Sequence, residues 1–177
     1  QLAGKCVEVI RDAIPSSRRI AILANAIDPF TKSFLAEIDR VAATLQIATQ
    51  PLMRRPGDDF ETAFTDMRKQ NADAVIVQPT LLSPKVIELA LKYRMPSFSI
   101  VRALPATGGL MAYTQDASEQ SFALANYTSR ILKGSRPADM PISQPTRFRF
   151  VLNLKTAKAL GLEISPTLLA RADEIIE

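Results

Sequence analysis

The sequence contains no histidine and a single cysteine, and each of these facts excludes a class of function. Without histidine there is no Ser-His-Asp or Cys-His catalytic arrangement, and most zinc sites are excluded as well. Cys6 alone cannot form a disulfide within the chain, and its place in an apolar helical stretch predicts a small buried side chain. A phosphate-binding glycine loop and a Gly-x-Ser-x-Gly turn are also missing. We therefore expect a protein that is not an enzyme and that uses neither a metal nor a cofactor.

Long apolar runs and one-sided charge are missing too. No run approaches the roughly 20 apolar residues that a membrane-spanning helix needs. The net charge of +4 is small, and the 22 basic residues are scattered among 18 acidic ones. Because no basic stripe with interleaved aromatic residues is present, we do not expect nucleic acid as a partner. The length of 177 residues predicts one domain, with room for an appendage.

Residues 19–34 combine a buried strand with the start of a helix. Residues 20–24 are an unbroken apolar run, as expected of a strand covered on both faces. Asn25 and Asp28 interrupt this run, and Pro29 opens a segment with helical spacing. Asp28 is predicted to cap this helix, with Pro29 at its first position. The loop between them is placed where open α/β sheets bind ligands, although Asn25 is equally suited to turning the chain.

The same unit of strand and helix recurs along the chain. Strands are predicted at 47–53, 74–77 and 97–101, and the helical segments between them are long enough to return each strand parallel to the last. The predicted fold class is therefore α/β, a doubly wound and mostly parallel sheet with the second strand outside the first. Beyond residue 101 we predict a loop at 102–107, a short strand at 110–113 and a helix at 116–133 that opens with a capping box of Asp116 and Glu119. A strand at 148–154 and helices at 156–162 and 165–176 follow.

Polar side chains collect in the loops that follow the predicted strands. Since the carboxyl ends of parallel strands share one edge of the sheet, residues 25–30, 78–82 and 102–107 are expected to form one ligand-facing edge. These groups form hydrogen bonds but offer no pair of nucleophile and base, which favours a binding protein over an enzyme. The candidates are Asn25, Asp28, Gln78, Thr80, Arg102, Tyr113 and Asp116, of which Asp116 is better suited to capping a helix.

Two dense sets of motifs resemble a known family. The first is GGLMAY at 108–113, followed by Asp116, ILKG at 131–134, PAD at 137–139 and Pro141. The second is QPT at 144–146, NLKTAKALGL at 153–162 and Pro166 with LLARADE at 168–174. Together they resemble the solute-binding proteins of ABC transporters, and more narrowly the tryptophan-type (TrpX-like) binders.

The resemblance implies a type I periplasmic-binding-protein fold, in which two α/β lobes close on a small molecule and pass it to a transporter permease. Residues 1–107 and 147–177 would then form a carboxyl-terminal-type lobe. Residues 108–146 would form a crossing segment with a helix that packs on the other lobe. Because Gln1 already precedes a helix and no signal peptide is visible, we expect the sequence to be cut from a longer protein. The resemblance implies that this protein is bacterial and is located in the periplasm or otherwise outside the cytoplasm.

The resemblance also implies roles for individual residues. Asn25 and Thr80 would bond polar groups of the solute, and Arg102 would pair with a carboxylate. Tyr113 either caps the cleft near the hinge or packs without a ligand role. The loop at 25–29 departs from the Asn-Pro of many relatives, and residues 78–82 are less polar than usual, so an amino acid or aromatic compound is a suitable solute.

If the other lobe is absent, the apolar positions of the 116–133 helix are left exposed, and a two-fold homodimer is expected to cover them.

The alternative to a binding protein is a free-standing flavodoxin-like regulatory or enzymatic domain. Such a domain should carry clustered acids after the first strand or a phosphate loop, and neither is found.

Overall fold

The computed structural model describes residues 2–177, so that Gln1 lies outside the described residues. Within this range seven strands form one sheet, in the order β2-β1-β3-β4-β5-β6-β7. Neighbouring strands are parallel except for β5 and β6, which are antiparallel. This confirms the predicted α/β class and the outer position of the second strand. The strands are β1 (Arg19–Asn25), β2 (Ala48–Arg54), β3 (Ala74–Val77), β4 (Ser97–Ser99), β5 (Met111–Gln115), β6 (Phe148–Asn153) and β7 (Glu174–Ile176).

Helices cover both faces of this sheet. In chain order they are α1 (Leu2–Ala13), α2 (Thr31–Thr44), α3 (Glu61–Lys69), α4 (Pro84–Lys92), α5 (Ala103–Ala106), α6 (Ala117–Leu132), α7 (Leu154–Leu160) and α8 (Pro166–Ala170). Two 3₁₀ turns, Pro79–Leu81 and Pro137–Asp139, complete the described structure. No helix within residues 2–177 combines the length and the apolar character that crossing a membrane requires.

Strand β1 divides the core into two halves. Its side chains alternate between faces, so that Ile20 and Ile22 join the cluster under α1 and α2, whereas Leu23 joins the cluster under α3 and α4. All three are completely buried. Burying each of them stabilises the fold by roughly 1.5–3 kcal/mol. The apolar run that organises the sequence is thus the centre of the folded domain.

A close approach of α1 and α2 shapes the face above the first core cluster. A Cβ atom added at Gly4 would lie 2.6 Å from Cγ2 of Val41. Real Cβ atoms do not come so near a neighbour, so the missing side chain of Gly4 lets the two helices meet. This contact places the amino end of α1 beside the middle and the last turn of α2, at Glu37 and Val41.

The last predicted helix is wrong over half of its length. Helix α8 ends at Ala170, and the chain then forms β7 instead of continuing to residue 176. Asp173 explains the change: its carboxylate accepts the Phe150 N–H at 2.7 Å, and its own N–H donates to the Phe150 carbonyl at 2.9 Å. Pairing with the free edge of β6 therefore overrides helical spacing. The predicted loop at 102–107 is also wrong in part, because it contains the short helix α5.

The predicted caps have mixed outcomes. Helix α2 begins at Thr31, and Asp28 accepts the Phe30 N–H at 2.9 Å in the preceding turn, so the predicted cap by Asp28 is wrong. Asp116 does cap α6, since its carboxylate accepts the N–H groups of Ser118 and Glu119. The second half of the capping box is wrong, because the Asp116 N–H donates to the carbonyl of Arg147 instead of to Glu119.

Helix α6 stands apart from both core clusters. None of its 16 residues is buried. Phe122, Leu124 and Leu132 are 76%, 68% and 83% exposed. An apolar helix face of this extent is typical of a surface that another structure covers.

Candidate functional site

Four predicted site residues meet where β1 and β3 end. The Gln78 side chain accepts the Asn25 N–H at 2.8 Å and donates to the Asp28 carboxylate at 2.9 Å. Thr80 accepts from the Asn25 amide at 3.0 Å and donates to Asp28 at 3.1 Å. The hydroxyl of Thr31 completes the group by donating to Gln78 and to the Asn25 carbonyl. We call these five residues the crest network.

The crest network satisfies its own hydrogen bonds. Gln78 is completely buried and Asn25 is 4% exposed, so bonds between them replace those to water. Asp28 joins the network through one carboxylate oxygen and holds the Phe30 N–H with the other. The network therefore fixes the loop that carries Phe30.

Arg102 is not brought to the crest network. Its guanidinium forms a two-pronged pair with the carboxylate of Glu174 on β7, with Nε 2.9 Å from one oxygen and Nη2 against the other. This contact raises the pKa of Arg102 and, through the same hydrogen bond, lowers the pKa of Glu174. Arg102 also precedes α5, whose Leu104 packs in the core cluster on the α3 and α4 face.

A pocket of about 500 Å³ opens beside the amino end of α1. Helix α1 packs on the face of the sheet opposite to α3 and α4. The pocket lies where the loop after β1, the residue after β4, the end of β5 and the segment before β6 converge. Such a convergence of chain segments is the usual setting of a small-molecule site. Its lining residues are Leu2, Ala3, Phe30, Glu37, Ile100, Gln115, Gln144, Pro145 and Phe148.

The pocket has aromatic walls and a few polar groups. Phe148 is 37% exposed and stacks on Tyr113, with ring centroids 5.9 Å apart and ring planes 18° from parallel. Tyr113 thus supports the pocket wall from behind, and Lys5 Nζ lies 6.0 Å from the centre of its ring. Glu37, Gln115 and Gln144 supply the polar side chains.

A larger groove of about 640 Å³ runs along α6. Its lining comes from this helix and from Lys133, which follows the helix end: Ser121, Leu124, Ala125, Thr128, Ser129, Leu132 and Lys133. Because no second element converges on it, the groove lacks the polar groups from several directions that orient a small ligand. It is instead a helix face suited to packing.

Sequence reasoning missed most of the pocket lining. The sequence indicates Phe30 only as part of the ligand-facing residues 25–30, and Phe148 only as part of a predicted strand. Gln115 follows the same rule that selected Asn25 and Gln78, since it ends a parallel strand, but the predicted boundary at residue 113 hid it. Gln144 and Pro145 come from a segment without regular structure, for which the sequence carried only the family motif.

Neither a metal-binding cluster nor a reactive thiol is found among residues 2–177. Within residues 2–177 no cluster of three or more His, Cys, Asp or Glu side chains could hold a metal ion. Cys6 lies in the core, and burial, followed by the charge of Glu37, raises its pKa to about 12. The thiol therefore stays protonated and donates weakly to the Ser99 carbonyl at 3.6 Å.

The sequence as a whole matches a family model described as ABC transporter substrate binding protein, over residues 1–176. The chain belongs to this family, which is the class that the motifs indicated. The family is one of substrate-binding proteins, in agreement with the expected binding role. No curated protein sequence matches the chain.

Solved structures share the fold. One is the ABC domain in complex with L-Trp from Streptococcus pneumonia, 24% identical with a TM-score of 0.88. Another is a conserved domain protein from Vibrio cholerae O1 biovar El Tor, 21% identical with a TM-score of 0.89. Each match covers 98% of this chain and 60% of the other, so the chain spans about 60% of the length of these structures. At this level of identity the likeness shows the fold alone.

Proposed function

We propose that the chain is one lobe of a solute receptor for an ABC importer, and that it binds a small molecule with an apolar or aromatic body, such as an amino acid. The family match over residues 1–176 carries this proposal. The receptor would act in the periplasm or elsewhere outside the cytoplasm and would deliver its solute to a permease. A flavodoxin-like enzyme or regulator is disfavoured by the same match.

The pocket beside α1 suits such a solute. Its volume of about 500 Å³ falls within the range of small-molecule sites. Phe30 and Phe148 offer apolar faces to a flat or branched body, and Gln115 and Gln144 offer amides to its polar end. Glu37 adds an acid that attracts an amino group. An amino acid with a large apolar side chain has the matching groups: an apolar body for the two aromatic faces, and polar ends for the amides and for Glu37.

The crest network contributes by fixing Phe30. Asn25, Asp28, Gln78 and Thr80 would act through this loop, with the Thr80 hydroxyl exposed to a solute that reaches over it. Arg102 would bind a solute carboxylate only after releasing Glu174, so we place it outside the pocket. Tyr113 supports Phe148 in the proposed site.

A second lobe would close the pocket from above. The chain spans about 60% of its structural neighbours, which leaves a large segment to form that lobe. Residues 108–146 would form the crossing and carry α6, whose unburied apolar face would pack on the second lobe. The other parts, 1–107 and 147–177, would form the lobe described above. Closure would then be a hinge motion at the crossing segments.

Thermal unfolding with and without solutes tests the proposal. The panel comprises L-tryptophan, L-tyrosine, L-phenylalanine, L-leucine and benzoate, with glycine as a control that lacks an apolar body. A binding solute raises the free energy of unfolding by RT ln(1 + [L]/Kd), and the melting temperature rises as a result. We expect a shift with at least one aromatic or large apolar compound and none with glycine. No shift with any compound, in the 177-residue chain and in the two-lobed protein alike, would contradict the proposed solute class.

A further inference from the structure

Two passages of the chain meet beside the pocket. The first is the end of β5 with the first turn of α6, residues 115–119, and the second is the segment 144–147 that leads into β6. The carboxylate of Glu119 joins them. It accepts the Thr146 N–H at 3.0 Å, the Thr146 hydroxyl at 2.5 Å and the Arg147 N–H at 2.8 Å.

Neighbouring bonds reinforce this junction. The Asp116 N–H donates to the Arg147 carbonyl at 3.0 Å, and the Asp116 carboxylate lies 3.8 Å from Nε of Arg149. The Gln115 side chain accepts from the amide of Gln120 one turn into α6. Both passages also contribute to the pocket, through Gln115 on one side and Gln144 with Pro145 on the other.

The Glu119 carboxylate bonds to the second passage and not to the end of its own helix. In a capping box this carboxylate would turn back to the N–H of Asp116. Here that N–H is bonded to the second passage, and Glu119 reaches across to the same passage. The bonds to Thr146 and Arg147 hold the pKa of Glu119 below its usual range, so the group is a carboxylate at neutral pH.

Among residues 2–177, few other hydrogen bonds hold the second passage and the residues just before it. Residues 140–147 contain no helix or strand and are exposed or half-buried. Tyr127 ties their first part, since its hydroxyl donates to the Pro141 carbonyl at 2.6 Å and accepts the Ser143 N–H at 2.8 Å. Beyond Ser143, the bonds to Glu119 and Asp116 fix the course of the chain past the pocket.

We propose that Glu119 is a positioning residue for solute binding, because it fastens residues 144–147 to α6 and so holds Gln144 and Pro145 in place as one wall of the pocket. The inference rests on the proposed function for its effect on binding. The junction itself does not depend on any ligand. Glu119 touches no part of the pocket beside α1, so its effect on a solute must pass through the second passage.

Hydrogen exchange at single amides tests the junction without a ligand. The variants are Glu119→Gln, which keeps the size and removes the charge, and Glu119→Ala. Asp139→Asn is the matched control, since it removes an acid from the same connecting segment, where it pairs only loosely with Arg136 at 3.9 Å. We expect exchange at Thr146 and Arg147 to accelerate about tenfold in both Glu119 variants, as loss of a bond to a charged group predicts. Unchanged exchange there would overturn the proposal.

Solute affinity then separates positioning from a purely structural role. The probe is L-tryptophan, titrated by calorimetry against the wild type, the two Glu119 variants and Asp139→Asn, with melting temperatures as the folding control. We expect binding about fivefold weaker in the Glu119 variants and unchanged in the control, as for a pocket wall that must be ordered on binding. Accelerated exchange with unchanged affinity would overturn the positioning role.

Failure of the proposed function gives a different result. If the wild type binds neither L-tryptophan nor another member of the panel, the solute class is wrong. The order parameter of the Gln144 amide, measured by NMR relaxation, then decides the inference: a fall in the Glu119 variants supports positioning of the wall, and an unchanged value overturns it.

Discussion

The crest network and helix α6 both carry residues that sequence analysis assigned to function, but they differ in what covers them. In the crest network, buried side chains bond to one another and the loop is fixed by its own chain. In α6 no residue is buried, and large apolar side chains face outward. Side chains that satisfy one another's hydrogen bonds hold a loop in place, whereas exposed apolar side chains favour contact with another surface.

The largest expected effect comes from the strand beneath the crest network. Leu23→Ala removes a completely buried side chain from the core under α3 and α4. We expect the free energy of unfolding to fall by about 2–5 kcal/mol in urea titration. Leu132→Ala on α6, 83% exposed, is the matched control and should change it by less than about 0.5 kcal/mol. A comparable loss in both would show that α6 is buried in solution.

The next effect probes the network itself. Gln78→Leu leaves the Asn25 N–H without its acceptor and removes one of the two acceptors of the Thr31 hydroxyl. Since both donors are buried, we expect a loss of about 1–3 kcal/mol in the free energy of unfolding. Thr80→Val removes an exposed hydroxyl from the same network and should cost less. If the two variants lose the same free energy of unfolding, burial does not determine how much each hydrogen bond of the network stabilises the fold.

A third prediction concerns the pocket wall. Phe148→Ala removes an aromatic face from the proposed site and should weaken binding of a panel solute by about 1–2 kcal/mol, the scale of apolar area lost from contact. Calorimetry on the two-lobed protein measures this. Arg102→Ala is the comparison, since Arg102 is engaged with Glu174, and we expect little change. A large loss of affinity in Arg102→Ala would show that the solute binds at Arg102 and not in the pocket beside α1.

The exposed helix gives a fourth prediction. We expect the 177-residue chain alone to self-associate through α6, most simply as a two-fold dimer. Leu132→Lys should weaken this association about tenfold, or about 1.4 kcal/mol. Light scattering over a concentration series compares the variant with Lys133→Ala. A wild-type chain that remains monomeric at high concentration would show that α6 needs no cover.

The smallest effect is a pH dependence. The hydrogen bond from Arg102, and then its charge, lower the pKa of Glu174 from its ordinary value of 4.5. A carboxyl with a lowered pKa in the folded state stabilises the fold above the unfolded value, and this stabilisation is lost as the pH falls through the folded value. Melting temperatures of the wild type should therefore drop on acidification below about 4.5 more than those of Glu174→Gln. Identical acid profiles would show that the pair contributes nothing.

Much of the fold was predictable because the sequences of buried parallel strands are continuous apolar runs. Ala74–Val77 was predicted to the residue, and β1 was extended by only one residue at each end. The end of the chain was not predictable, because β7 exists through pairing with β6 and not through its own pattern. Of the site, the sequence showed which loops follow strands. It did not show that Gln78 would turn toward Asp28 and Arg102 toward Glu174, since both choices depend on partners distant in the chain.

The antiparallel pairing of β5 with β6 has a consequence for how the molecule can be cut and joined. Gln115 and Phe148 are direct register partners, so the chain leaves the sheet and returns to it on adjacent strands. In topological terms residues 116–147, with α6 inside them, are an insertion at the tip of a β-hairpin. A two-residue Asn-Gly turn can connect such partners. The seven-stranded sheet is therefore separable in principle from the segment that reaches away from it, and recombination at this one point would exchange that segment without altering the order of the strands.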